Sequence, residues 1–326
     1  MRKLVVVIPN YNGAKFVRNC MDSLLVENVP VIVVDNASTD GSDQIMAEYA
    51  RQYPELVTLV TMETNTGFCG AVNEGITHAD AEYVILLNND TVIEQGFCQA
   101  LLQRMESDER IFSVSSKMID LYHPDRMDDA GDLYCCLGWA FSPAKGRNVT
   151  EYDRACKVFA ACGGAAIYRT SILQKIGTFD ENHFAYLEDV DLGYRARLHG
   201  YENWFEPKAV VYHAGSGVTG SRHNAFKVSL SSKNSIYLIY KNMYFLQIIL
   251  NLPFLLLGIL TKTLFFTRKH LGIVYCKGIC KGIAMCFSKE GRKKKVPFSL
   301  TTAKNACKIQ LELWYNTLLL FAHPRK

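Results

Sequence analysis

Tyr83-Val84-Ile85-Leu86-Leu87-Asn88-Asn89-Asp90-Thr91 decides how the chain folds. An unbroken apolar run of this kind describes a strand buried on both faces, as in a parallel sheet covered by helices. Its polar tip falls where the strand leaves the sheet, and open α/β sheets bind ligands at that edge. A carboxylate there, flanked by amides, suits a divalent cation and the diphosphate bound to it. The same residues also suit a plain Asn/Asp turn.

The N-terminal part repeats the pattern. Residues 4–8, 29–34 and 56–62 are further apolar, β-branched runs. Segments with helical spacing separate them, as in Phe16, Val17, Cys20 and Leu24. Strands alternating with helices predict βαβ units, hence an α/β fold with a mostly parallel sheet and flanking helices. Residues 9–12, 35–42 and 88–91 each follow a strand, so they are expected on one edge. There Asp35 accepts a hydrogen bond from a base imide or ribose hydroxyl, or else caps a turn or helix. Beyond Asp90 the pattern predicts a helix over 94–107, a strand over 112–119, and loops with short strands over 120–158. A helix over 192–199 ends at Gly200, and short strands follow at 204–205 and 209–212. The apolar run at the N-terminus stops at Pro9, too short for the core of a signal peptide. The 11 cysteines form no CxxC ladder and are expected to be reduced thiols of a cytosolic protein.

The net charge of +4 hides a split. Residues 1–224 carry 19 Lys and Arg against 30 Asp and Glu, a balance of −11. Residues 225–326 carry 17 against 2, a balance of +15. The expected division is therefore an acidic soluble part, 1–224, and a basic helical part, 225–326, that meets something anionic.

Four motifs in order carry a family resemblance. They are Val6-Val7-Ile8-Pro9-Asn10-Tyr11-Asn12, Val33-Val34-Asp35-Asn36-Ala37-Ser38-Thr39-Asp40-Gly41-Ser42, Asn65-Thr66-Gly67-Phe68 with Ala71 and Asn73, and Leu87-Asn88-Asn89-Asp90. Together they resemble glycosyltransferase family 2, over about residues 3–224. The resemblance implies the GT-A nucleotide-sugar-binding fold and an inverting transferase. It implies that Pro9, Asn10, Tyr11 and Asp35 cradle base and ribose, with Asn65, Gly70 and Asn73 in the same pocket. The family's metal motif is Asp-x-Asp; here its first acid is an amide. The resemblance then leaves Asp90 as chief carboxylate for Mn²⁺ or Mg²⁺, with Asn88 and Asn89 as neutral contacts, a variant of the rhamnosyltransferase-like branch.

Phe184-Ala185-Tyr186-Leu187-Glu188-Asp189-Val190-Asp191-Leu192 resembles the family's acidic motif ahead of a helix. By that resemblance Asp189 is the general base, and Glu188 holds the acceptor or orients Asp189. Clustered carboxylates repel and raise at least one pKa. The same acids also suit a helix N-terminus. Asp191 is spaced to pair with Arg195, which could instead reach a phosphate. His213 matches the family's late histidine, which completes metal coordination. Gly163-Gly164 admits close approach of a sugar, or else tight strand packing. Trp204 either stacks on the acceptor or belongs to the core.

No charge interrupts residues 242–261, a length that could cross a membrane. Gln247 and Asn251 share one helical face there and weaken that reading. Residues 271–287, with Lys277 and Lys281 one turn apart, read as a helix lying in the interface. Residues 289–295 form a basic cluster suited to anionic lipid, and 304–321 is a third amphipathic segment. A helical bundle or homo-oligomer contact would use the same pattern. Nucleic acid fits poorly, because the catalytic part is acidic. The expected activity is transfer of a sugar, with rhamnose the specific expectation, from a dTDP- or UDP-sugar to a lipid-linked glycan at the cytoplasmic membrane face. A non-catalytic scaffold is the alternative. A nicotinamide oxidoreductase would need the G-x-G-x-x-G turn that the first strand lacks.

Overall fold

The computed structural model describes residues 2–215 and 224–322. The glycines at 215 and 217 predict a loop over 213–217, of which Ser216 and Gly217 lie outside the described residues.

The first half winds β1 (Arg2–Asn10), α1 (Val17–Leu25), β2 (Val31–Asp35), α2 (Ser42–Gln52), β3 (Val57–Thr61), α3 (Gly67–His78) and β4 (Ala81–Leu87). β5 (Thr91–Ile93), α4 (Phe97–Glu106) and β6 (Ile111–Asp120) follow. Short strands β7 (Met127–Asp129), β8 (Leu133–Tyr134), β9 (Ala140–Phe141) and β10 (Cys156–Val158) precede β11 (Ala165–Arg169) and α5 (Thr170–Ile176). Next come α6 (Glu188–Leu198) and β12 (Glu202–His213). The rest is helical: α7 (Ala225–Asn242), α8 (Phe245–Arg268), α9 (Gly272–Phe287), α10 (Lys289–Lys293) and α11 (Leu300–Ala322).

The main sheet runs β10-β12-β6-β11-β4-β1-β2-β3. β3, β2, β1 and β4 are mutually parallel, as is β12 with β6. β11 enters antiparallel between β4 and β6. The sheet is thus mixed, with the expected parallel character confined to its first half and the β6–β12 pair. Both faces of β1 are covered: Leu4, Val6 and Ile8 pack with α1, α2 and α4, while Val5 and Val7 pack with α3, α5 and α6. That two-sided burial is why these strands are apolar throughout rather than alternating. The two short strands expected near 204 and 209 are one strand, with a register shift between Glu206 and Val210. Pro207 lies inside that shift and lacks the N–H a ladder needs. α6 begins at Glu188, four residues ahead of the expected start, so the acidic motif is itself the first turn.

The C-terminal helices pack directly on this framework. Tyr134, Phe159 and Tyr194 share a core with Leu238, Ile309 and Leu313. Gln247 and Asn251 of α8 turn inward, and Asn251 exchanges two hydrogen bonds with Gln310 of α11, at 2.7 and 2.8 Å. Gly258 sits against the Leu137 carbonyl, where a Cβ would come within 2.2 Å. The opposite face of α8 exposes Leu246, Ile249, Leu250, Leu257, Leu260 and Leu264. All 11 cysteines are free thiols.

Candidate active site

Register places the strand tips together: Asn10 lies beside Asp35, and Val7 beside Leu86. Asn10 is fully buried, so its amide must find partners inside the protein. Its Nδ2 donates to Asp35 Oδ1 at 2.8 Å and Ser42 Oγ at 3.0 Å, and its Oδ1 accepts from Asn89 Nδ2 at 2.7 Å. One amide thereby ties three strand ends. Gly13 closes over this pair, where a Cβ would stand 2.1 Å from Asn89 Nδ2; no larger residue fits.

These tips open into a cleft of about 620 Å³. Pro9, Asn10, Tyr11, Asn65, Asn88, Asn89, Asp90, Gly163, Gly164, Glu188, Asp189 and His213 all line it. Asn36 lines it too, holding Asn65 through a 3.0 Å amide hydrogen bond.

Pairing of β5 with β12 sets His213 opposite Thr91 and so beside Asp90. His213 Nε2 is 3.3 Å from Asp90 Oδ1 but is buried without a well-aligned hydrogen bond. Its Nδ1 is held by Asp128 Oδ2 at 2.7 Å, and Lys145 Nζ approaches Asp128 at 2.5 Å. Burial pulls the His213 pKa down, but Asp128 and Asp90 outweigh it and push it up to about 9. A carboxylate on one ring nitrogen with the other aimed at an acid is how metal-ligating histidines are oriented. Asp90 and His213, once Nε2 gives up its proton, would offer a divalent cation one carboxylate and one imidazole. No group of three or more His, Cys, Asp or Glu side chains that could hold a metal ion converges among the described residues, so the protein's share of such a site is this pair.

The acid motif is built on a strained loop. Phe184, Tyr186 and Leu187 take φ of 66°, 72° and 67°, a region that costs roughly 1–3 kcal/mol per non-glycine residue. Asn234 of α7 holds this loop, its Nδ2 lying 2.7–3.0 Å from the carbonyl oxygens of His183, Ala185 and Tyr186. The result presents Asp189 to the cleft, its carboxylate accepting N–H groups of Val190 at 2.8 Å and Gly163 at 3.1 Å. Burial raises the pKa of Asp189. Burial and then the neighbouring Asp189 charge raise that of Glu188 further.

Several expected contacts are corrected by this geometry. Arg195 is 5% exposed and spends its guanidinium on Asp191 and the carbonyls of Ile176, Gly177 and Thr178, so it reaches no phosphate. Trp204 pairs with Lys157 of β10, donates to Glu202 and lies under Arg104. It stands nine residues before His213, roughly 30 Å along an extended strand, and cannot stack on a ligand in the cleft. Asn73 is fastened to Phe179 and Glu181, tying α3 to the loop before α6. Gly70 is not in the wall of this cleft; a Cβ there would stand 2.2 Å from Thr66 Oγ1. Asp35 is 1% exposed and lies behind Asn10, its oxygens accepting from Asn10 and the Ser38 N–H.

Asp128, Asp129 and Lys145 line the cleft from a stretch whose sequence has no periodicity, and Phe226 joins them from α7. Burial, then the nearby Asp128 charge against an opposing Gly131 N–H, leaves Asp129 at about 6. No sequence signal singled these residues out, nor Asn234.

Fold and cleft together define an α/β protein of the GT-A type. Residues 5–177 match the family model described as glycosyl transferase family 2, and the chain belongs to that family. An uncharacterised glycosyltransferase of Nostoc sp. is 27% identical over 62% of this chain and 66% of its own length, so the chain falls short of two thirds of that relative. N-acetylglucosaminyl-diphospho-decaprenol L-rhamnosyltransferase of Mycobacterium tuberculosis is 28% identical over 67% of this chain and 78% of its own. A mannosyltransferase of Pyrobaculum calidifontis, solved with GDP-Man and Mn²⁺, aligns at TM-score 0.55 and 17% identity over 95% of this chain and 88% of its own.

Proposed function

We propose that the protein is an inverting glycosyltransferase moving a sugar from a nucleoside diphosphate sugar, a dTDP- or UDP-sugar, to a glycan hydroxyl. The observation that carries this reading is a single cleft whose walls hold both Asp189 and the Asp90–His213 pair. The nucleotide lies along Pro9, Asn10, Tyr11, Asn36 and Asn65, with the diphosphate beside Asn88-Asn89-Asp90. Mn²⁺ or Mg²⁺ on Asp90 and His213 would stabilise charge on the leaving diphosphate. Gly163-Gly164 leaves room for the transferred sugar. Asp189 takes the acceptor's proton as that oxygen bonds to the anomeric carbon. The bond from that carbon to the diphosphate breaks, its electron pair leaving with the nucleoside diphosphate. One in-line displacement inverts the centre. Equilibrium binding of a nucleotide-sugar panel tests this. One donor is expected to bind more tightly with Mn²⁺ or Mg²⁺ present; binding of none under either condition would sink it.

Rhamnose and a lipid-linked acceptor are the specific reading. They draw on the Asn88-Asn89-Asp90 variant and on the mycobacterial relative, whose own name states both. The acceptor side supports a cytoplasmic membrane surface as partner. α8 carries an exposed apolar face; Lys277, Lys281, Lys289, Arg292 and Lys293 lie in the helices that follow, and Lys294 and Lys295 lie just past α10. Each lysine near an anionic surface contributes about 1 kcal/mol. The protein is expected to float with phosphatidylserine vesicles at low salt and to bind neutral ones more weakly. Retention in the soluble fraction with the anionic vesicles would refute this.

A further inference from the structure

Two neighbouring acids of β7, Asp128 and Asp129, line the donor cleft. They are not equivalent. Asp128 is committed: its carboxylate holds His213 Nδ1 at 2.7 Å and Lys145 Nζ at 2.5 Å. Asp129 is held by backbone, its Oδ1 accepting the Gly131 N–H at 2.6 Å. An ionised carboxyl has about four acceptor positions, so one such bond fixes the group and leaves it able to accept more. Its pKa of about 6 keeps it mostly ionised near neutral pH.

The contacts around Asp129 place it between the two chemical ends of the cleft. On one side, its chain neighbour Asp128 reaches His213 and hence the Asp90 end. On the other, Asp129 pairs with Met118 across β7 and β6. Met118 Cε lies 3.3 Å from where a Cβ on Gly164 would stand. The adjoining Gly163 donates its N–H to Asp189 at 3.1 Å. Asp129, Met118, Gly163 and Gly164 all face the same cleft. A sugar whose diphosphate leaves at Asp90, and whose attacking oxygen gives its proton to Asp189, has its ring in the stretch between. Asp129 borders that stretch.

We infer that Asp129 is a specificity-determining residue for the donor, accepting a hydroxyl of the transferred sugar while its neighbour Asp128 positions His213. The inference rests on the transferase reading and adds which residue selects the sugar. A site built to hydrogen-bond a hydroxyl rejects an analogue that lacks it far more strongly than an apolar wall does, because its own polar group is then left unpaired. The Gly131 contact alone describes an Asx turn, which is the structural role a test must separate from selection.

The test measures equilibrium binding to the full chain. Its probes are the donor identified by binding, analogues of that donor each lacking one sugar hydroxyl, and the nucleoside diphosphate alone. The parent is expected to bind one deoxy donor about tenfold more weakly than the complete donor, the worth of one hydrogen bond to a charged group. Asp129→Asn keeps the oxygen that Gly131 binds and removes the charge. In that variant the gap should shrink to about threefold or less, because both changes weaken the same contact. The nucleoside diphosphate should bind the variant within about twofold of the parent, since it lacks the sugar. A gap unchanged by Asp129→Asn would overturn the inference. So would an equal loss for the diphosphate and every donor, the signature of a structural role, or equal binding of all deoxy donors by the parent. If Asp129→Asn does not fold, Asp129→Ser is read the same way, because a serine hydroxyl can also accept from the N–H two residues on. Failure of the parent chain to bind any donor would refute the transferase reading, a separate result.

Discussion

Asp189→Asn is expected to lower sugar transfer by about 10²–10⁴-fold, the usual worth of a positioned general base. Donor affinity should barely change, because the Asp90–His213 pair and the nucleotide end of the cleft are untouched. The substitution keeps shape and the acceptor oxygen for one of the two backbone N–H groups now bound to the carboxylate. What it removes is the capacity to take a proton. The pH dependence follows from the direction of the shift. Burial raises the Asp189 pKa, so the base is protonated at a higher pH than a free carboxyl would be. Parental kcat should therefore fall on the acid side above the ordinary carboxylate pKa of about 3.9. Burial and then the Asp189 charge shift Glu188 further upward, so Glu188 takes up a proton before Asp189 does. Steady-state kinetics and donor binding on parent and variant check both parts. A parallel loss of donor affinity would mean that Asp189 builds the donor pocket instead.

What the sequence revealed, and what it hid, divides along covalent neighbourhood. The strand tips were legible because buried parallel strands are apolar throughout, so each end is marked by the first polar residue. Asp90 was legible for the same reason, whereas Asp189 was singled out only by the resemblance of its acidic motif, since the sequence put the start of α6 four residues too late. Arg195 was legible as a partner of Asp191 by helical spacing, yet its exclusion from the cleft was not. That depends on carbonyls of residues 176–178 arriving from a different element. Asp128 is a pure tertiary feature, an unremarkable acid in an irregular stretch until β7 lays it against His213. Asn234 is another. A lone asparagine inside a helix carries no signal, although three carbonyls of a strained loop depend on it. Trp204 misled because an aromatic near an expected sugar site suggests stacking. Only the length of β12 shows it to be at the far end of the strand.

Lys241→Met is expected to destabilise the protein by about 3–5 kcal/mol, the cost of removing one partner from a buried ion network. Lys241 is 2% exposed and donates to Asp180 at 2.7 Å and Asp191 at 2.8 Å, themselves 2% and 0% exposed. Methionine matches its volume, so the loss is of charge rather than packing. Asp191 retains Arg195 and Asn242. Asp180 retains only neutral donors, including the Tyr237 hydroxyl at 2.9 Å, and becomes an uncompensated buried anion. Burial alone would raise both carboxyl pKa values; Lys241 outweighs it at both sites, with help from Arg195 at Asp191. Both folded values lie below the unfolded value, so their stabilisation is complete above about pH 4 and is lost as pH falls through the folded values. In the variant, Asp180 titrates upward instead and can shed its charge by taking a proton. The stability gap between parent and variant should therefore be widest near neutral pH and should narrow as pH approaches about 4–5. Urea unfolding at a series of pH values measures this directly. A gap independent of pH would mean that the cost is lost packing, and that the charge on Asp180 is dissipated by water. The consequence reaches the active site, because Lys241 and Asn234 lie on the same helix. Lys241 anchors α7 to Asp180 ahead of the acid motif and to Asp191 within it, and Asn234 holds the strained loop between them.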